Sequence, residues 1–240
     1  MGAYYHLACL LPPLPVELGE KLSLTMAETI GVVKRNIQCG DESLLEAQLL
    51  SIDVANWEQI DQDRDIFTDG GVLAREDIET QKNLPSFLED FIEEKERGIR
   101  RPYMYDRLWD RYYTYFYELA QKLKCQFVLD YLPWEIELRN NLVSLRAKES
   151  GKDAEAHAVL GNFSAADFTN MMAQVKGKKN PLLAERYLDT ERLKHIFHCQ
   201  GNNPFSIGAI LAYVSQLMIY SRWERIEAPY EFYDFLYKGG

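Results

Sequence analysis

Between Tyr103 and Lys124, the residues Leu108, Tyr112, Tyr115, Leu119 and Leu123 recur at intervals of four, three, four and four. That spacing follows the 3.6-residue helical repeat, and no stretch of useful length elsewhere alternates with the period of two that a half-buried strand requires. A chain patterned in this way builds its core from helices, so the predicted class is all-α. Trp109, Tyr113 and Phe116 widen the stripe beyond one face, which predicts a helix buried on more than one side.

Other segments repeat the signal between recognisable breaks. The opening Y-Y-H-L-A-C-L-L-P-P-L-P is a short apolar run closed by Pro12, Pro13 and Pro15, and it reads as a short extended N-terminal arm. Ser23 or Thr25 suits the cap of a helix to about Cys39, with Gly40 as its stop. Asp41 suits the cap of the next, striped by Leu44, Leu45, Leu49 and Ile52. The acidic stretch Asp61 to Gly71 reads as a loop. Glu76 to Arg97 reads as mostly helical, with Pro85 opening its second part and Phe87, Leu88, Phe91 and Ile92 facing inward. Further on, short helices are expected over Ala154–Leu160, Ala165–Val175 (capped by Ser164), Pro181–Tyr187 and Thr190–Gln200, with a basic turn from Lys176 to Pro181. Asn203 to Ile226, ended by Ala228-Pro229, is the last strong segment. The organisation predicted is one all-α domain over 1–240, within which 1–100 and 101–240 read as two sub-units.

Charge narrows the partners. A net charge of −10 disfavours nucleic acid and anionic membrane, both polyanionic surfaces. Segment 57–96 carries −9 (four basic, thirteen acidic residues), and the adjoining 97–124 carries +4 (seven basic, three acidic). The acidic stretch is either a solvated face or a surface that meets a basic partner. No Asp, Glu, Lys or Arg lies between Lys194 and Arg222, yet the apolar part, Phe205 to Tyr220, falls short of the roughly 20 residues a membrane span needs. Cys9, Cys39, Cys125 and Cys199 are widely separated and no signal peptide precedes them, so a reducing, cytoplasmic setting is expected.

Catalytic patterns are sparse. His195, His198 and Cys199 form H-x-x-H-C, with no second Cys or His cluster to complete a zinc set. Glu89, Asp90, Glu93, Glu94 and Glu96 crowd one stretch and read as exposed rather than as a perturbed acid–base pair. No phosphate-binding glycine loop occurs. No metal, cofactor or small-molecule substrate is expected, and these patterns leave enzymatic activity unsupported rather than excluded.

The segment Leu132 to Gly151, L-P-W-E-I-E-L-R-N-N-L-V-S-L-R-A-K-E-S-G, predicts an amphipathic helix. Pro133 suits its first position, Lys148 its negative C-terminal end, and Gly151 its stop. Ile136, Leu138, Leu142, Val143 and Leu145 give the apolar face, while Glu135, Arg139 and Arg146 form a polar ridge whose Glu135–Arg139 pair has the favourable i,i+4 order.

These residues carry a family resemblance. Glu135-Ile136-Glu137-Leu138-Arg139-Asn140 followed by Leu145-Arg146-Ala147-Lys148-Glu149-Ser150-Gly151 resembles the C-subunit family of bacterial and archaeal V-type ATP synthases (the d-subunit family of eukaryotic vacuolar ATPases). Tyr105-Asp106-Arg107 with Asp110-Arg111-Tyr112-Tyr113 resembles that family's preceding helix. Pro204-Phe205-Ser206-Ile207-Gly208-Ala209-Ile210-Leu211-Ala212-Tyr213 resembles its later P-[IL]-G-x-x-A-I-L-A-Y stretch. The opening is similar to a short bacterial branch of uncharacterised proteins encoded in V-type ATPase gene clusters. Two departures stand out. Tyr220-Ser221-Arg222-Trp223 keeps only Arg222 of the family's E-x-R-N pattern, and the chain is shorter than typical members.

The resemblance implies a helical funnel or wedge of repeated three-helix units. It also implies a non-catalytic rotor subunit that couples the central shaft to the membrane proteolipid ring in proton or sodium transport. Such a subunit is cytoplasmic and peripheral to the inner membrane, without inserting into it. Glu135, Arg139, Arg146, Lys148 and Arg222 are the candidate interface residues, together with the acidic 57–96 stretch. The internal echo of Ile136-Glu137-Leu138-Arg139 in Ile219-Tyr220-Ser221-Arg222 fits duplication of a helical unit. The alternative is a helical adaptor, unrelated to ATPases, that presents its acidic face to a basic protein. A third reading is a small metalloenzyme using His195, His198 and Cys199.

Overall fold

The computed structural model describes residues 3–99, 103–160 and 166–227, and among them no strand occurs. The helices are α1 (Tyr5–Leu10), α2 (Met26–Asn36), α3 (Glu42–Asp61), α4 (Arg75–Thr80), α5 (Ser86–Glu96), α6 (Met104–Leu123), α7 (Gln126–Ser150), α8 (Thr169–Lys176), α9 (Pro181–Cys199) and α10 (Ile207–Glu227). A single 3₁₀ turn, Glu155–His157, lies between α7 and α8. The all-α reading holds.

Helix α6 is the hub of the packing. It lies against α3, α5 and α7, while α9 packs on both α7 and α10. The main core runs from Tyr4 to Trp223 and so crosses residue 100. A smaller second core gathers Trp134, Leu138, Leu142, Phe168 and Leu188. Helix α7 serves both. Val128, Leu132 and Ile136 face the main core, and Trp134, Leu138 and Leu142, four residues apart, face the second.

Several sequence expectations are corrected by tertiary context. The N-terminal arm is not extended. Its prolines follow rather than interrupt Tyr5–Leu10, so that run winds into α1, buries Leu7 and sets Tyr4 to donate from its hydroxyl to Asp41 at 2.5 Å. Asp41 therefore sits at the N-cap of α3 without capping it. Thr25 does cap α2, in a reciprocal capping box with Glu28. That helix stops at Asn36, where Ile37 turns extended, and Gly40 (φ +105°) instead serves the turn into α3. The Gly70-Gly71 loop is built around Asp53, whose carboxylate occupies the space a side chain at 71 would need.

Pro133 does not open a helix. Lys124, in the left-handed region at φ +55°, ends α6, and α7 begins at once at Gln126, carrying Pro133 in its interior. Burial on two sides of α7 outweighs the hydrogen bond that the proline ring removes. The expected Ala154–Leu160 helix is only the 3₁₀ turn, because α6 and α7 seize the backbone after it. Asn140 donates to Val159 O at 2.7 Å and accepts from Val159 N at 2.9 Å, and Leu160 N donates to Asp110 at 2.9 Å. The expected Pro181–Tyr187 and Thr190–Gln200 helices are one, α9. Thr190 does not begin a helix; its hydroxyl donates back to Arg186 O at 2.7 Å, beside the buried Leu188 and Asp189. The preceding helix, α8, starts at Thr169, and the proposed cap Ser164 with Ala165 lies outside the described residues, as does Ala228-Pro229. Among the described residues no helix is long and apolar enough to cross a membrane.

Candidate functional site

Helices α6, α7, α9 and α10 enclose a cleft of about 600 Å³. Four of the five candidate residues line it: Glu135, Arg139 and Arg146 from α7, and Arg222 from α10. Lys148 does not; it stands exposed on the last turn of α7. The cleft also takes in Asp106, Trp109 and Tyr113 from α6, Glu185 and Arg192 from α9, and Lys152 and His157 beyond α7.

The ridge is not wired as the sequence predicts. Glu135 and Arg139 do not bond each other, because each finds a better-buried partner on another helix. Arg192 of α9 grips Glu135 with both Nε and Nη2 at 2.9 Å and donates from Nη1 to Asp189 at 3.0 Å. Burial works against the Arg192 charge, but Glu135 outweighs it and holds the guanidinium firmly protonated. Arg139 donates from Nη2 to Asp106 Oδ1 at 3.0 Å, lies over the Trp109 ring at 5.1 Å, and shares Asp106 with His157 Nδ1 at 3.0 Å. Arg146 reaches only to Glu185, at 3.8 Å. Tyr113, buried between these groups, has its phenol pushed up to about 12 by desolvation, against the pull of Arg139.

Arg222 mirrors Arg139. It pairs with Asp189, which also accepts from Trp223 Nε1 at 2.6 Å. In both cases an aspartate almost wholly shielded from solvent holds an arginine 33 residues later on the next long helix. The echo between residues 136–139 and 219–222 is thus matched by an equivalent ion pair. Asp106, Asn140, Asp189 and Arg192 organise this region and were not singled out from sequence as site residues. The 33-residue Asp–Arg separation was the one available signal, and it means nothing until both helix pairs are known to pack alike.

The acidic and basic stretches meet elsewhere. Along the α5–α6 seam, Arg107 grips Glu94 at 2.8 and 2.9 Å, and Arg111 pairs with Glu94 and with Asp90 at 3.1 Å. Hydrogen bonds from Arg107, reinforced by Arg111 against the cost of burial, hold the Glu94 carboxyl down at about 2. Lys95 pairs with Asp61 at 2.5 Å, and the Tyr105 hydroxyl donates to the same carboxylate at 2.7 Å. Much of the basic partner expected for the acidic stretch is therefore its own neighbour in the chain.

His195 stacks on Trp134 at 4.2 Å and lies 3.3 Å from the Cys199 sulfur. Burial lowers the His195 pKa and lifts the Cys199 thiol to about 11. Among the described residues no three His, Cys, Asp or Glu side chains are placed to hold a metal ion.

Fold and site together define an all-α protein whose paired helices hold buried Asp–Arg links beneath a cation-lined cleft. The chain belongs to the family described as protein of unknown function (DUF2764), whose profile matches residues 1–229. No curated protein and no solved structure matches it.

Proposed function

We propose that this protein is a non-catalytic rotor subunit of a V-type ATPase or ATP synthase, cytoplasmic and peripheral to the membrane, which couples the central shaft to the proteolipid ring. The observation that carries the reading is the ordered resemblance of three segments to the V-type C-subunit family, lying on α6, on α7 and at the start of α10. Arg139 of the second segment and Arg222, which lies beyond the third on α10, make the same link to a buried aspartate at the same separation, as a duplicated helical unit would. Torque transfer needs rigid helix pairs and a shaped polar surface, and it needs no catalytic group.

Co-purification tests the reading. The tagged chain, expressed in a cell that carries its V-type ATPase genes, is expected to bring down shaft and ring subunits in fixed ratio. Their absence under conditions that keep the complex intact would sink it. The adaptor reading has less support, since Asp61, Asp90 and Glu94 are already paired within the chain.

A further inference from the structure

We infer that the cleft and the hollow beside it form one basic groove that docks an acidic, extended segment of a partner protein. The second hollow, of about 330 Å³, shares Arg146 and Glu185 with the cleft and is bounded by Lys176, Lys178 and Lys179 of the turn before α9. The two hollows adjoin across the Arg146–Glu185 contact. In the cleft five cationic side chains face three carboxylates, and in the second hollow four face two.

The depth of each charge matters more than the count. Two of the four acids, Asp106 and Glu135, lie at the bottom with side chains 5% and 18% exposed, while Glu185 (40%) and Glu149 stand nearer the solvent. Arg192 and Arg139 pair with those acids at depth, and the rim carries more cations than acids: Arg146 is 70% exposed, Lys176 is exposed, and Lys152 and Lys179 are exposed and make no ion pair among the described residues. A partner approaching from solvent thus meets positive charge first, on a chain whose overall charge is −10. At the α5–α6 seam the same chain consumes its cations internally, and here it leaves those of the rim, Lys152 and Lys179, without an ion pair among the described residues.

The shape selects the occupant. Cations strung along two hollows and interleaved with carboxylates suit separate carboxylates arriving one by one along a peptide, with guanidinium groups offering two-pronged donors. A compact phosphate would be repelled by Glu135 and Glu185, and long polyanions are repelled by the acidic remainder of the molecule. The inference deepens the rotor reading, and rests on it only for which protein supplies the segment.

The test is fluorescence anisotropy with a labelled decaglutamate peptide and the full chain at low ionic strength. Saturable, salt-weakened binding is expected. Arg146→Glu with Lys179→Glu should weaken it roughly tenfold or more, while Lys21→Glu with Lys122→Glu, an equal charge change on exposed sites outside the groove, should leave it within about twofold. No binding, or equal loss in both double variants, would overturn the groove. So would tighter binding of a single-stranded oligonucleotide or of phosphatidylglycerol vesicles at the same residues. Failure here with intact co-purification removes the groove and keeps the rotor reading; peptide binding without ATPase subunits does the reverse.

Discussion

The α5–α6 seam and the cleft between α6, α7, α9 and α10 are both built from arginine and carboxylate, yet they leave opposite residues on the surface. At the seam, adjacent stretches of sequence with opposite charge fold against each other, and Glu94 ends between Arg107 and Arg111 with a side chain only 14% exposed. In the cleft the partners come from distant segments, Asp106 and Glu135 sink to the floor, and Arg146 remains at the rim with a single long contact to the half-exposed Glu185. The difference teaches that a charged run in sequence does not mark an available charge in the fold. The most acidic part of this chain has six of its thirteen acidic residues in ion pairs among the described residues, while 125–240, with thirteen basic and fourteen acidic residues, supplies the cations of the groove.

Breaking the floor of the cleft should have the largest effect. Asp189 is 1% exposed and serves Arg192, Arg222 and Trp223, so Asp189→Ala removes a buried carboxylate shared by two guanidinium groups and leaves the buried Trp223 Nε1 without its acceptor. A loss of about 3–5 kcal/mol in denaturant unfolding is expected. A loss below about 1 kcal/mol would mean the floor is solvated, which would erase its contrast with the rim.

Glu94→Gln tests the seam at about 2 kcal/mol. Because the folded pKa lies near 2, below the ordinary 4.5, this contribution is complete above about pH 5 and disappears as pH falls toward 2. Wild-type stability should therefore lose a component across that window that the variant lacks, as read by urea titrations at several pH values.

Asp53 supplies the opposite case, a buried carboxylate with no ion pair. Burial pushes it up to about 6, although Val72 N–H donates to it at 2.7 Å. Here the sign reverses. The folded state binds the proton more tightly, so stability falls as pH rises from about 4 to 6, by about 1–2 kcal/mol, and Asp53→Asn should flatten that slope. An unchanged slope would show that Asp53 titrates normally.

The smallest effect belongs to the rim. Arg146→Glu with Lys179→Glu should change unfolding free energy by no more than about 0.5 kcal/mol, since both side chains are exposed. A large loss would make them structural and remove their distinction from the seam.

What was legible in the sequence was local. The i,i+3/i+4 stripe of α6, the Thr25 cap and the break at Pro85 each depend on residues within a few positions of one another, and each appears in the fold. Pro133 misled because its local preference for a helix start yields to the packing of α7 on two cores. The boundary expected at Thr190 failed for a related reason, since beside buried Leu188 and Asp189 the helix continues through it. Of the candidate site, Glu135, Arg139, Arg146 and Arg222 were found from sequence, but their partners were not. Arg192 lies 57 residues from Glu135, and Asp106 lies 33 from Arg139, separations at which no periodicity operates.

The sequence by itself thus determined that the chain is helical, roughly where α6 and most of the other helices lie, and which arginines belong to recurring segments. Only the tertiary structure decided which charges face each other. Helix formation is governed by hydrogen bonds and side chains a turn apart. The sign of a surface is set by which carboxylates become buried against which arginines, and that follows from the packing of whole helices.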